Sequence, residues 1–154
     1  MLRLSKLTDY ATVVMTEMAR DANARRSSGD LSARVGLEQP TVAKVLKTLA
    51  RSGLVQSYRG VQGGYALAEQ PEHITMLDII EAMEGPLGMT ECSIHEGLCA
   101  QEAICSIRSN WQRINAAVGK ALRKITLAEM LAPLPSSSMT LHVLPETAAH
   151  NTEV

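Results

Sequence analysis

The chain has 154 residues, of which 45% are hydrophobic and 20% charged, a length and composition typical of one globular domain. No apolar run approaches the roughly 18 residues that a membrane span needs, and the N-terminus lacks the hydrophobic segment of a secretory signal. We therefore expect a cytoplasmic protein with no membrane partner. The three Cys are an odd number, which argues against a disulfide framework.

The formal net charge of −1 conceals an uneven distribution. Residues 1–60 carry ten Lys and Arg against five Asp and Glu, whereas residues 61–154 carry five against eleven. A basic first half in a nearly neutral chain favours an interaction of that half with a polyanion. Basic faces that are merely solvated are also common, so the charge distribution alone does not identify a nucleic-acid-binding protein.

The beginning of the chain predicts two helices. The first is expected to begin at Thr8 as its N-cap, with Asp9 at a position where the helix dipole favours an anion. Apolar residues at spacings of three and four mark its buried stripe, namely Leu7, Ala11, Val14 and Met18. A polar loop over 21–29 then leads to a short helix around 31–35, which Gly36 ends.

The next helix is expected to open at Pro40 and to end at Gly53. One face is apolar at the spacing of an amphipathic helix, with Val42, Val45, Leu46 and Leu49. The opposite face is polar and cationic, with Thr41, Lys44, Lys47, Thr48 and Arg51. Two short helices around a glycine turn, the second of them cationic on its free face, predict a helix-turn-helix.

The hydrophobic period changes after this helix. Residues 54–58 and 65–67 predict two short strands, with turns at Gly60 and at Gly63–Gly64. A helix-turn-helix followed directly by a glycine-tipped hairpin is a winged helix.

The second half predicts three more helices. A capping box at Thr75 starts the first, which Gly85 and Pro86 stop. A long helix from about Glu102 carries a seam of alternating three- and four-residue intervals, made of Ile104, Ile107, Trp111, Ile114, Val118, Ala121 and Ile125. This seam is expected to face its own copy in a dimer, and packing on its own domain is the alternative. A last short helix begins at Thr126.

These elements predict a mainly α fold with a small β-wing. Residues 1–84 are expected to form a winged helix-turn-helix DNA-binding domain and 85–105 a cysteine-containing loop. Residues 106–132 would form the dimerisation helix and the short C-terminal helix. Residues 133–154 are rich in Pro and Ser, have no period, and predict a disordered tail.

The predicted recognition helix and wing hold the candidate DNA contacts. Polar residues near a helix N-terminus reach base edges and cations bind phosphates, and the candidates on the helix are Gln39, Thr41, Lys44, Lys47 and Arg51. In the wing, Arg59 is expected to enter a minor groove. Gly63 and Gly64 would let backbone N–H groups approach phosphates closely. Each of these residues also fits a solvated surface or a turn, and only their combination points to DNA.

The three cysteines predict a second site. Cys92, Cys99 and Cys105 follow the pattern C-x6-C-x5-C, with His95 three residues after the first. Three thiols so close together indicate an iron–sulfur cluster or another metal. A Cys3His zinc site is an alternative, although the usual C-x2-C spacing is absent. Unligated redox-active thiols are a further alternative.

Together these motifs resemble the IscR/NsrR family of winged-helix regulators. The resemblance covers roughly residues 1–130 and rests on the opening LRLSKLTDYA, the helix GLEQPTVAKVLKTLARSGLV, the wing RGVQGGYALA and the cysteine triplet. The stretch MLRLSKLTDYATVVM is most similar to members that regulate the SUF iron–sulfur assembly system. The resemblance implies a homodimer that binds a palindromic double-stranded DNA operator. It also implies a 2Fe-2S or 4Fe-4S cluster on Cys92, Cys99 and Cys105 of each protomer.

The sequence departs from the family pattern at three points. IscR-like members carry a His three residues after the last Cys, where this chain has Arg108, and the first cysteine gap is one residue longer. The DNA-reading Glu of IscR corresponds to Ala43. Members with the TDYA motif use its Asp, from the partner protomer, as the fourth ligand, so the resemblance points to Asp9. His95 and a small exogenous ligand are the alternatives.

The resemblance implies a transcriptional regulator, specifically a repressor of iron–sulfur assembly genes that senses cluster status. A nitric-oxide or redox sensor of the NsrR type is an alternative, as is a zinc- or thiol-based regulator. An electron carrier or redox enzyme is the alternative from another class. The sequence holds no nucleotide loop or Ser/His/Asp constellation that would favour an enzyme.

Overall fold

The computed structural model describes residues 4–94, 97, 99–100 and 104–132. Its elements in chain order are α1 (Lys6–Ala19), α2 (Ser28–Val35), α3 (Gln39–Arg51), β1 (Val55–Tyr58), β2 (Gly64–Leu67), α4 (Met76–Glu84), α5 (Glu91–Ile94), α6 (Arg108–Lys124) and α7 (Leu127–Leu131). The two strands pair antiparallel, so the predicted mainly α fold with a small β-wing is confirmed. No helix of the described ranges is both long and apolar enough to cross a bilayer. The predicted tail over 133–154 lies outside these ranges.

One aliphatic core joins α1, α2 and α3 and extends to α4, the hairpin and α7. The predicted stripes face the core, and their buried members are Ala11, Val14 and Met18 on α1 and Val42, Val45, Leu46 and Leu49 on α3. Leu7, at the start of the α1 stripe, is half-buried against the same core. Leu31 of α2, Ile79 of α4 and Leu127 of α7 complete the same core. Because α4 and α7 both pack on α1, the core fixes the second half of the described chain to the helix-turn-helix.

Two predicted helix starts are wrong because a neighbouring hydroxyl makes the cap. Ser5 is the N-cap of α1, and its Oγ accepts a hydrogen bond from the Thr8 backbone N–H at 3.3 Å. Thr8 lies inside the helix, fully buried. Ser27 caps α2 by accepting from the Asp30 N–H at 3.0 Å, so that helix begins three residues before the predicted Leu31. Asp9 remains in the first turn of α1, as expected.

The buried hydroxyl of Thr8 joins the start of α1 to the end of α4. Thr8 donates a short hydrogen bond to the Glu84 carboxylate, and the Ser5 backbone N–H donates to the same oxygen at 3.0 Å. The hydrogen bonds from Thr8 and then Ser5 lower the pKa of the Glu84 carboxyl below its ordinary value of 4.5. The ionised form is therefore the form that the fold favours.

This contact predicts a pH-dependent part of the stability. Since the folded-state pKa lies below the unfolded one, Glu84 stabilises the fold above pH 4.5 and loses that contribution as the pH falls through the folded pKa. Glu84→Gln should therefore be less stable than the wild type at neutral pH, with a difference that shrinks in acid. Urea unfolding of both proteins at several pH values measures this. A difference that stayed constant with pH would assign the effect to packing instead.

The start of α6 and its predicted seam need a correction. The helix begins at Arg108 rather than Glu102, with Ile107 as its N-cap and Ile125 as its C-cap. The seam also divides between two surfaces, since Trp111 and Val118 are half-buried on the side of α4 and the loop after it. Ile107 and Ile114 are 51% and 42% exposed. Packing on its own domain thus takes one half of the seam and leaves the other half on the surface.

Candidate nucleic-acid interface and cysteine segment

The turn between α2 and α3 has a well-defined geometry. Gly36 ends α2 in the left-handed conformation, with φ of 69°, a region that suits glycine. The Ser32 hydroxyl reaches across the turn and donates to the Leu37 carbonyl at 2.6 Å. Pro40 lies in the first turn of α3, as predicted. This arrangement sets α3 as the second helix of a helix-turn-helix.

The free face of α3 carries the predicted contacts. Gln39, Lys44, Lys47 and Arg51 are exposed, and Thr41 is half-buried. The ion pairs between described residues all involve Arg20, Arg26 or Arg34. The three cations of α3 therefore have no acidic partner in that part of the chain and are available to an anion.

An ion-pair network fixes α2 against α1. Arg34 contacts Asp30 at 3.1 Å and Glu17 of α1 at 3.5 Å. The hydrogen bond from Arg34, helped by Arg26, lowers the pKa of the Asp30 carboxyl below its ordinary value, and the same hydrogen bond raises the pKa of Arg34. These groups are solvent-exposed, so their main effect is on orientation rather than on stability.

The wing places Arg59 at its exposed edge. β1 and β2 pair with Tyr58 opposite Gly64, and the turn between them exposes Arg59, Gly60 and Val61. The Gly63 N–H donates to the Gly60 carbonyl at 2.9 Å, so this amide already has a partner inside the turn. A Cβ on Gly63 would lie 2.7 Å from the Tyr58 carbonyl oxygen. Close internal packing thus explains Gly63, and a phosphate contact by its amide stays a prediction.

Gly64 lets the hairpin approach the loop before α2. Its φ is +143°, and a Cβ there would lie 2.8 Å from the Arg26 carbonyl oxygen. Arg26 and Tyr65 exchange backbone hydrogen bonds at 2.9 and 2.8 Å beside it. The absence of a side chain at Gly64 is what allows this bridge to form.

Gly64→Ala is expected to destabilise the fold by more than the about 1–3 kcal/mol that such a backbone conformation alone costs, because the methyl group also meets backbone. Gly60→Ala is the matched control, since Gly60 also has positive φ but nothing lies within 4 Å of its Cβ position. Urea unfolding of the two variants gives the comparison. Equal losses would contradict the close approach to Arg26.

Sequence reasoning missed Arg25 and Arg26. Arg26 pairs through its backbone with Tyr65 and through its side chain with Asp21 and Asp30. The Arg25 guanidinium carbon lies 3.8 Å from the centroid of the Tyr58 ring. The available signal was an arginine doublet directly before the helix-turn-helix, in a segment that the sequence assigns only to a loop.

The cysteine segment lies between α4 and α6 and includes α5, which packs on α6. Cys92 on α5 is buried, and its Sγ is 3.2 Å from the Thr90 hydroxyl. Cys99 and Cys105 are half-buried, and all three are free thiols. Asn115 of α6 clasps the preceding loop by accepting from the Met89 N–H at 3.2 Å and donating to the Leu87 carbonyl at 3.1 Å.

The donor chemistry of this segment fits an iron–sulfur cluster, because three free thiols are the ligands that such clusters use. Among the described residues of one protomer, no three Cys, His, Asp or Glu side chains converge into a metal-binding group. Asp9 is exposed on α1, where it lines a groove with Lys6 and Thr12. His95 lies outside the described residues, and Arg108 stands in the first turn of α6.

Comparison with known proteins agrees with this architecture. Residues 4–133 match the family model Rrf2, described as iron-dependent transcriptional regulator. The protein rrf2 of Nitratidesulfovibrio vulgaris is 27% identical over 131 residues, which cover 84% of this chain and 87% of that protein.

Two solved structures at 30% identity are similar along most of their length. CymR, the global cysteine regulator of B. subtilis, has a TM-score of 0.66 over 85% of this chain and 97% of its own. IscR of T. potens has a TM-score of 0.63 over 84% of this chain and 86% of its own. The predicted winged-helix architecture and family are confirmed, and regulators rather than enzymes make up this family. The chain belongs to the Rrf2 family of DNA-binding transcriptional regulators.

Proposed function

We propose that this protein is a repressor of iron–sulfur assembly genes of the SUF type, which acts as a cytoplasmic homodimer and responds to a cluster held by Cys92, Cys99 and Cys105. The observation that carries the proposal is that three free thiols lie on the one segment that leads into α6. The description of the family as iron-dependent and the similarity to an IscR support it.

The DNA-binding part of the proposal rests on α3 and the wing. The exposed side chains of Gln39, Lys44 and Arg59 would face the operator, with Lys47 and Arg51 on phosphates and Thr41 at the helix N-terminus. Base contacts specify the sequence, whereas phosphate contacts set position and affinity. Because Ala43 replaces the Glu with which IscR reads DNA, we expect an operator that differs from that of IscR.

The cysteine segment would supply three thiolates, and Asp9 of the partner subunit would supply the fourth ligand. A bound iron–sulfur cluster provides a centre that oxidants, iron shortage or nitric oxide can dismantle. Asp9 is exposed on α1, and no three Cys, His, Asp or Glu side chains converge among the described residues of one protomer, so the proposal brings Asp9 to the cluster across the dimer. A carboxylate also makes a more labile ligand than a fourth thiolate, which suits a sensor.

The fold connects the cysteine segment to the recognition helix. Cys105 lies three residues before α6 begins at Arg108, and Asn115 ties the loop at Leu87 and Met89 to the same helix. α6 packs on α4, which in turn packs on α1 and α3. A rearrangement at Cys105 therefore acts on both α6 and its exposed half-seam. In a dimer this shifts the relative placement of the two recognition helices.

A thiol-based regulator is the second candidate. The similarity to the global cysteine regulator CymR favours it, as does the partial exposure of Cys99 and Cys105. Thiolates that remain accessible can be oxidised reversibly without any metal. Iron and acid-labile sulfide content separates the two candidates, because only the cluster sensor contains both.

Arg59→Ala tests the DNA interface. We expect weaker binding to a duplex selected from a random-sequence library by the wild-type protein, by roughly a hundredfold, because each protomer of the dimer loses one charged groove contact that contributes about tenfold. Arg123→Ala is the matched control, since Arg123 is also exposed but lies on α6. Fluorescence anisotropy gives both affinities. An unchanged affinity for Arg59→Ala would remove the wing from the interface.

A further inference from the structure

A cation and an aromatic ring meet at the base of the wing. The Arg25 guanidinium carbon lies 3.8 Å from the Tyr58 ring centroid, a distance typical of a cation–π contact. The Tyr58 hydroxyl donates to Gln56 Oε1 at 2.6 Å, which holds the ring along β1. Arg25 is exposed and forms no ion pair with a described residue, so its charge is available to an anion.

The backbone fixes the place from which Arg25 reaches this ring. Arg26 exchanges two hydrogen bonds with Tyr65 and so adds an antiparallel bridge to the hairpin. The Arg26 side chain is only 13% exposed and contacts Asp30 at 3.4 Å and Asp21 at 3.8 Å. Adjacent residues of an extended segment point to opposite sides. Arg26 is therefore neutralised inside the fold, while Arg25 lies on the hairpin.

We propose that Arg25 is a further phosphate-binding residue of the DNA interface and that Tyr58 positions it beside the wing. This inference rests on the proposed DNA-binding function. Tyr58 is the last residue of β1 and comes directly before Arg59 in the chain, so the stack holds a second cation at the base of the same wing. A planar guanidinium that stacks on a ring through its face keeps the N–H donors at its edge free for a phosphate. Stacking also restricts the rotamers of Arg25 before DNA binds, which lowers the side-chain entropy lost on binding.

A purely structural role makes a different prediction. An exposed cation–π contact is weak, and Arg25 has no other side-chain partner among the described residues. Removing it should leave the melting temperature close to that of the wild type. A phosphate contact instead contributes to the salt dependence of binding, with about one unit of slope in log K against log salt for each contact.

The test measures binding to mixed-sequence duplex DNA and to the duplex selected by the wild type, each over a salt series. Arg25→Ala removes one contact from each protomer of the dimer, so it is expected to weaken both by roughly tenfold or more and to lower the salt slope by about two. Arg25→Lys, which keeps the charge, should restore the slope. Tyr58→Leu should weaken binding in the same direction, whereas Tyr58→Phe keeps the ring and should bind like the wild type.

A double variant Arg25→Ala with Tyr58→Leu should bind no more weakly than Arg25→Ala alone, since the ring acts through the arginine. Unchanged affinity and slope for Arg25→Ala, while the wild type and Arg123→Ala bind normally, would overturn this inference alone. A wild type that selects no duplex from the library and does not bind mixed-sequence DNA would overturn the proposed function as well. If Arg25→Ala lowers the melting temperature strongly, the test uses Arg25→Gln, which keeps most of the side-chain length without the charge. A lowered salt slope for Arg25→Gln supports the phosphate contact, and an unchanged slope overturns it.

Discussion

Cys105→Ser is expected to abolish most of the iron and sulfide bound by anaerobically purified protein. A serine hydroxyl is a harder and far less acidic ligand than a thiol, so it replaces a thiolate poorly at an iron–sulfur centre. Cys105 lies just before α6, so its loss should also change the affinity for the selected duplex. Metal analysis, sulfide assay and anisotropy measure these effects.

Ser106→Ala is the matched control because it changes the adjacent, exposed residue of the same segment. It should retain iron, sulfide and DNA affinity. Asp9→Ala should retain the three thiolates and bind a more labile centre, which is lost faster in air. Full retention of iron by Cys105→Ser would contradict the three-thiolate centre.

Ile114→Glu is expected to convert the protein to a monomer and to weaken operator binding by roughly 10²–10⁴-fold, the range gained when two linked modules bind together. Ile114 is 42% exposed on α6, in the half of the seam that does not face its own domain. A carboxylate placed there between two copies would have to lose its hydration, which opposes association. Size-exclusion chromatography with light scattering and anisotropy measure the two effects.

Ala116→Glu is the control for this variant, because it adds the same charge to another exposed position of α6. It should leave both the mass in solution and the DNA affinity close to wild type. A wild-type protein that is monomeric, or a dimer that Ile114→Glu leaves intact, would show that the exposed half-seam is not the interface between copies.

The parts of the fold that follow from periodicity were predictable. On a helix, one face carries Val42, Val45, Leu46 and Leu49, and all four are buried. The capping box at Thr75 was predictable because its two hydrogen bonds are local. The start of α1 was not, since Ser5 and Thr8 are both good caps by residue type. The long-range partner of Thr8, Glu84, decides between them.

The extent of α6 was overestimated for a related reason. Heptad spacing continues through Ile104 and Ile107, but a pattern of apolar residues does not require that the backbone be helical. The helix begins only at Arg108, and Ile104 is 81% exposed before it. Spacing also could not show that Trp111 and Val118 face their own domain. The loop after α4 that lies against them is more than twenty residues earlier in the chain.

For the candidate site, the sequence indicated which side chains are available and missed how they are arranged. The exposed cations of α3 and Arg59 follow from amphipathicity and turn chemistry. The stack of Arg25 on Tyr58 joins residues from separate elements and has no local signature. At Gly63 the phosphate contact stays a prediction, and the structure adds a reason for glycine that spacing could not show, the close approach of the Tyr58 carbonyl. The spacing of the three cysteines likewise indicates which side chains are available as metal ligands, but it does not show how they are arranged in space.

The most direct test is the visible absorption spectrum of anaerobically purified protein together with its iron, sulfide and zinc content. We expect a brown protein with matched iron and sulfide, whose stoichiometry distinguishes a 2Fe-2S from a 4Fe-4S centre. A colourless protein that contains zinc would identify a structural metal site instead. A colourless protein with neither metal after anaerobic reconstitution would contradict the cluster sensor and leave a thiol-based regulator.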